Sequence, residues 1–149
     1  MNGSRPRSDR AVSTALGYVL TLGIATILIS GLLIAAGAAV EDQRDATTRG
    51  SLQVAGERLA SNLMSADRLA ETSGSREVSV AAALPGRIAG TGYQVTVDPA
   101  ASTLVLESDD PVVTVRVSFT TTTPVDAVAV RGGDLRIVLS GGSLEVRST

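Results

Sequence analysis

An α+β fold is predicted for this chain by three features: an uncharged apolar run over residues 11–40, an apolar stripe at three- and four-residue spacing beyond it, and a switch to two-residue alternation from Glu77 onward. The expected architecture is a long N-terminal hydrophobic helix that continues into an amphipathic half and packs on a small antiparallel β-sheet domain. The implied organisation is a leader at 1–11, a membrane-length helix at 12–40, an amphipathic continuation at 41–73 and a β domain at 76–149.

The apolar run carries no charged side chain, with Arg5, Arg7 and Arg10 just before it and Glu41, Asp42 and Asp45 just after. A helix of that length extends roughly 45 Å at 1.5 Å per residue, whereas a bilayer core of roughly 30 Å needs only about 20 residues. Spanning a membrane therefore does not account for the whole run. The arginines place the N-terminus inside and the C-terminal domain outside, as a single-pass cell-membrane protein. The leader, polar, basic and interrupted by Pro6, reads as a short cytoplasmic segment with no fold of its own. Within the run, Gly17, Gly23, Gly31, Ala35 and Gly37 are the candidate helix-packing positions, because small residues let helix backbones approach closely. Ser13, Thr21, Thr26 and Ser30 are able to bond back to the helix backbone or across to a neighbour.

No proline occurs between Pro6 and Pro85, so the helix is expected to run on past the acidic collar. Leu52, Ala55, Leu59, Leu63, Ala66 and Leu69 form one stripe, while Glu57, Arg58, Asp67, Arg68 and Glu71 stand off it. Leu52, Leu59, Leu63 and Leu69 are accordingly assigned to helix–sheet packing. Gly50 and Gly56 each disfavour a helix interior by about 1 kcal/mol relative to alanine and mark a candidate bend. Thr72, Ser73, Gly74 and Ser75 supply the stop.

About seven short strands follow, carried by Val78 to Leu84, Tyr93 to Val97, Leu104 and Leu106, Val113 to Phe119, Val128 and Val130, Leu135 to Leu139, and Leu144 with Val146. Proline and glycine pairs punctuate them, and the two GG segments before Asp134 and Ser143 suggest a glycine-linked hairpin. Strict alternation means one buried and one wet face, the mark of an antiparallel sheet, and the leucine stripe is the apolar surface able to cover it.

Histidine, cysteine and lysine are absent, which removes the usual catalytic triads, thiolate nucleophiles, Schiff-base amines and imidazole metal sites. No enzyme, metal site or cofactor is expected. Glu107, Asp109 and Asp110 lack the ligand spacing of a calcium loop and read as a solvated turn. Net charge is −2, with no basic surface to suit nucleic acid. The threonines at 120–123 suit a strand and also a glycosylated surface.

At the junction of leader and helix stand Asp9, Arg10, Ala11, Val12 and Ser13, with Gly17 one turn further. A charged leader meeting an apolar helix in this way resembles archaeal type IV pilins and pilin-like proteins, particularly the haloarchaeal set, over about residues 8–40. The resemblance implies a prepilin peptidase cutting after Ala11, with Arg10, Ala11, Val12 and Ser13 as the processing site and Val12 as the mature N-terminus. It implies a structural subunit, stored in membrane lipid and assembled with other pilin-like subunits by an ATPase and a membrane platform. The filament would serve adhesion or surface contact, as a major or minor component. Two departures stand out: Thr14 occupies a position where many archaeal relatives have proline, and Leu16 the position of the glutamate in bacterial pilins. The competing expectation is an uncut, single-span β domain acting as an envelope binding module.

Overall fold

A computed structural model describes residues 7–73 and 77–149 of the chain. Residues 1–6 of the leader and Gly74 and Ser75 of the expected stop lie outside the described residues. The elements are α1 (Arg7–Ser73), β1 (Ser79–Ala83), β2 (Tyr93–Asp98), β3 (Thr103–Asp109), β4 (Val112–Ser118), β5 (Val128–Arg131), β6 (Asp134–Ser140) and β7 (Ser143–Ser148). The chain divides into two units, one ending at Asp42 and the other covering Gln43–Thr149.

Helix α1 runs through Gly50 and Gly56 without a melted turn. It also takes in Arg7 to Ala11, which the leader reading left without a fold of their own. In the first unit the hydroxyls of Thr21, Thr26 and Ser30 each donate to the carbonyl four residues back, at 2.8 Å. Their polar groups are thus satisfied within the helix itself.

In the second unit the strands form two sheets where the alternation pattern suggested one. The first has the order β1-β6-β7 and the second β4-β3-β2-β5, with antiparallel pairing throughout. Alternation fixes which face of a strand is buried but not which strand lies beside it, and the partition into two sheets is invisible at that level. The two glycine pairs do different work. Gly141 and Gly142, at φ of 60° and 89°, form the two-residue loop of the β6–β7 hairpin, where Ser140 pairs with Ser143. Gly132 and Gly133 instead carry the chain from β5 in one sheet to β6 in the other.

One apolar cluster joins the helix to both sheets. Leu52, Leu59 and Leu63 are wholly buried with Val95, Val97, Leu104 and Leu106 of the four-stranded sheet and Leu135, Ile137, Leu144 and Val146 of the three-stranded one. Each such leucine contributes about 1.5–3 kcal/mol by leaving water. The stripe differs from expectation at its end: Leu69 is 48% exposed, and the buried position is Ala70. One residue is about 100° of helical rotation, so four steps from Ala66 stay on the face while three carry Leu69 off it. Thr48, one turn before Leu52, extends the buried stripe at its other end.

Gly56 lies where the helix packs tightly on the four-stranded sheet. A Cβ there would stand 2.7 Å from Val117 Cγ2 and 2.9 Å from Leu106 Cδ1, whereas one at Gly50 would meet nothing within 4 Å. Two alanine substitutions with the same intrinsic helix preference are therefore expected to act in opposite directions. In thermal melts of the bilayer-reconstituted protein, Gly50→Ala should stabilise by about 0.5–1 kcal/mol. Gly56→Ala should destabilise by about 1–3 kcal/mol, since the stiff Val117 side chain must be displaced. Equal shifts of the same sign would contradict the close approach.

Candidate functional site

The expected processing junction falls inside α1, with Arg10 and Ala11 helical in backbone and Val12 62% exposed at the start of the apolar run. From there to Val40 the large apolar side chains, among them Leu16, Leu20, Ile27, Leu32 and Ile34, stand exposed. The helix contains an 18-residue window of mean hydropathy 2.4, none of it buried, which is long and apolar enough to cross a membrane. A Cβ at Gly17, Gly23, Gly31 or Gly37 would meet nothing within 4 Å among the described residues, and Ala35 is likewise exposed. Within the first unit the small residues thus stand exposed.

The second unit holds a feature the sequence reading missed. Asp67, expected on the wet side of the helix, is only 6% exposed and clamps the segment that leaves β4. Its Oδ2 accepts from the Thr122 amide at 2.9 Å and its Oδ1 from the Thr123 amide at 2.8 Å. Burial raises the carboxyl pKa, but the two amides, the Thr123 hydroxyl and the nearby Arg68 outweigh it, and the net shift is downward. The clamped segment then runs beside β7: the Leu144 amide donates to the Pro124 carbonyl at 2.8 Å, and the Asp126 amide to the Leu144 carbonyl at 2.9 Å. The sequence offers only two separate hints, a carboxylate beside the apolar stripe and a threonine run before a proline. Its partners lie 55 and 56 residues away in sequence, beyond the reach of any local pattern.

Tyr93 is the other buried polar group of note. Its ring lies directly over Gly132, where a Cβ would fall 2.1 Å from Cζ, and the Gly132 amide donates to the Tyr93 carbonyl at 2.8 Å. Burial pushes its phenol pKa up, so the ring stays neutral, and its hydroxyl has no partner among the described residues. Ser108, paired across from Tyr93 in the β2–β3 ladder, also keeps an unpartnered buried hydroxyl. Among the described residues no group of three or more acidic, histidine or cysteine side chains converges as a metal site.

These features define a class: a helix long and apolar enough to span a membrane, followed by an antiparallel β domain built on the helix's distal half. The chain belongs to DUF7266, a family of unknown function whose model matches residues 7–149. No curated protein and no solved structure matches it.

The clamp has a pH signature. Because the folded-state pKa of Asp67 lies below its unfolded value near 3.8, its stabilisation is present above that value and is lost as pH falls through the folded pKa. Asp67→Asn should lower stability by about 1–3 kcal/mol at neutral pH, since an amide cannot accept from both backbone donors. The gap between wild type and variant should narrow in denaturant titrations below pH 4. A gap that stays constant down to pH 2 would show that ionisation of Asp67 is not involved.

Proposed function

We propose that this protein is a pilin-like structural subunit, held in the membrane by its apolar helix, processed after Ala11 and assembled through that helix into a surface filament. The observation that carries this reading is the uncovered segment from Val12 to Val40: apolar, rich in small residues, longer than a bilayer requires, and directly preceded by the Arg10–Ala11 junction. In lipid about 20 residues of it are embedded. In a filament the whole stretch is covered by the same stretch of neighbouring subunits. Lipid tails are as apolar as leucine, so the exchange is favoured by close van der Waals packing, for which Gly17, Gly23, Gly31, Ala35 and Gly37 leave room. The β domain sits outside the membrane and presents its wet faces for adhesion or surface contact. The peptidase, assembly ATPase and membrane platform are separate proteins.

Exact mass and N-terminal sequencing of material from membranes and from sheared surface fractions test the reading. A mature start at Val12 in the sheared fraction is expected, and Arg10→Glu combined with Ala11→Leu should abolish entry into it. An uncut chain confined to membranes would favour an anchored envelope binding module instead. Gly31→Leu separates packing from anchoring: a side chain there meets nothing in the chain, so membrane level and domain stability should be unchanged while sheared filament yield falls several-fold. Unchanged yield would remove this position from the assembly surface.

A further inference from the structure

A cleft of about 460 Å³ opens at the end of the four-stranded sheet, where the start of β2, the ends of β3 and β5 and the 86–92 loop converge. That volume falls within the range of about 300–1,000 Å³ usual for small-molecule sites. Arg87 and Arg131 line it together with Asp109, Gln94, Thr91 and Tyr93. Neither guanidinium, nor the Asp109 carboxylate, has an ion pair or side-chain hydrogen bond among the described residues. Two arginines against one aspartate give the cleft a positive balance in a chain whose net charge is −2.

The walls are built rather than incidental. Arg87 enters a tight turn in which the Ile88 amide donates to the Thr91 carbonyl at 2.8 Å and the Thr91 amide to the Ile88 carbonyl at 3.0 Å. At its tip Ala89 is held at φ 52°, a left-handed conformation that a residue with a Cβ adopts only under constraint. Gln94 and Arg131 are direct partners in the β2–β5 ladder and so project from the same face of the sheet.

We infer that this cleft binds a sugar acid of the uronate class, its carboxylate held by Arg87 and Arg131 and its hydroxyls by Asp109, Gln94 and Thr91. Guanidinium groups pair with a carboxylate through parallel charge-assisted hydrogen bonds. A bare carboxylate gains nothing from Asp109 and is repelled by it, whereas a polyhydroxy acid offers that oxygen acceptor a hydroxyl donor. A neutral sugar leaves both arginines unpaired. The site stands on the β domain alone and does not depend on processing or filament assembly.

The experiment is calorimetric titration of the full chain in phosphatidylcholine nanodiscs with glucuronate, glucose, acetate and polygalacturonate. Saturable binding of glucuronate in the millimolar range or tighter is expected, with glucose and acetate each at least tenfold weaker. Arg87→Gln and Arg131→Gln should each weaken glucuronate roughly tenfold or more. Asp109→Asn should reduce the preference for glucuronate over acetate. All three side chains are exposed, so unchanged melting curves certify the fold of the variants. Tighter binding of the polymer than of the monomer, per sugar, would assign the ligand to a polysaccharide, and equal binding to a free sugar acid. Absence of saturable glucuronate and polygalacturonate binding, equal binding of acetate, or arginine variants that bind like wild type would overturn the inference.

Discussion

The β domain depends on the close approach of the distal half of α1 to the inward faces of its sheets. Three aromatic residues in the whole chain, two tyrosines and one phenylalanine, leave the sheets little area to bury against each other. Leu52, Leu59 and Leu63 supply what is missing, each wholly buried in the cluster that contains both sheets. Gly56 sets the distance. With no side chain there, Val117 and Leu106 come close enough to meet a Cβ well inside van der Waals separation, and the flanking leucines reach the sheet interior. A glycine that helix propensity alone marks as a weak point is thus the residue that allows the helix to pack.

Given that contact, the remaining problem is to bind two separate sheets into one unit without a disulfide, since the chain has no cysteine. The segment after β4 is the solution. Phe119 is buried, Asp67 on the helix holds the amides of Thr122 and Thr123, and the residues from Pro124 to Asp126 run beside Leu144 of β7. The eight residues 119–126 therefore leave the four-stranded sheet, touch the helix and lie along the edge of the three-stranded one. Hydrogen bonds to an ionised acceptor are worth about 1.5–3 kcal/mol each, roughly twice a neutral pair, and here two such bonds share one carboxylate. The clamp does locally what a crosslink would do.

The parts of this fold that were legible in the sequence are those with a short period. The apolar run, the leucine stripe and the seven strands each repeat within a few residues, and each falls in the expected stretch of chain. What escaped notice depends on contacts between distant segments. Three-residue spacing points to Leu69 as the next core position, but the rotation of the helix brings Ala70 there instead. A carboxylate is ordinarily solvated, so pattern alone puts Asp67 on the wet face, and only the amides of Thr122 and Thr123, far off in sequence, make its burial favourable. The allocation of strands to two sheets, and with it the cleft between the 86–92 loop and the end of β5, was equally out of reach. Arg87 and Arg131 are 44 positions apart and share a wall only because β5 pairs with β2.

The glycines of the two units pose a physical contrast that bears on what the helix is for. In the β domain the absence of a side chain is explained from within: Gly56 by Val117 and Leu106, Gly132 by the Tyr93 ring. In the apolar segment nothing of the kind exists, since a side chain at Gly17, Gly23, Gly31 or Gly37 would meet open space. Each of these glycines disfavours the helix by about 1 kcal/mol relative to alanine, and no contact among the described residues offsets that. Lipid does not offset it either, because acyl chains pack against leucine as well as against glycine. A second helix does, by approaching where the side chain is missing. Under the proposed assembly, the residues that weaken the isolated helix are those that strengthen its packing against the next subunit. The same substitution that would improve the segment as a membrane anchor, leucine for glycine, would then spoil it as the core of a filament.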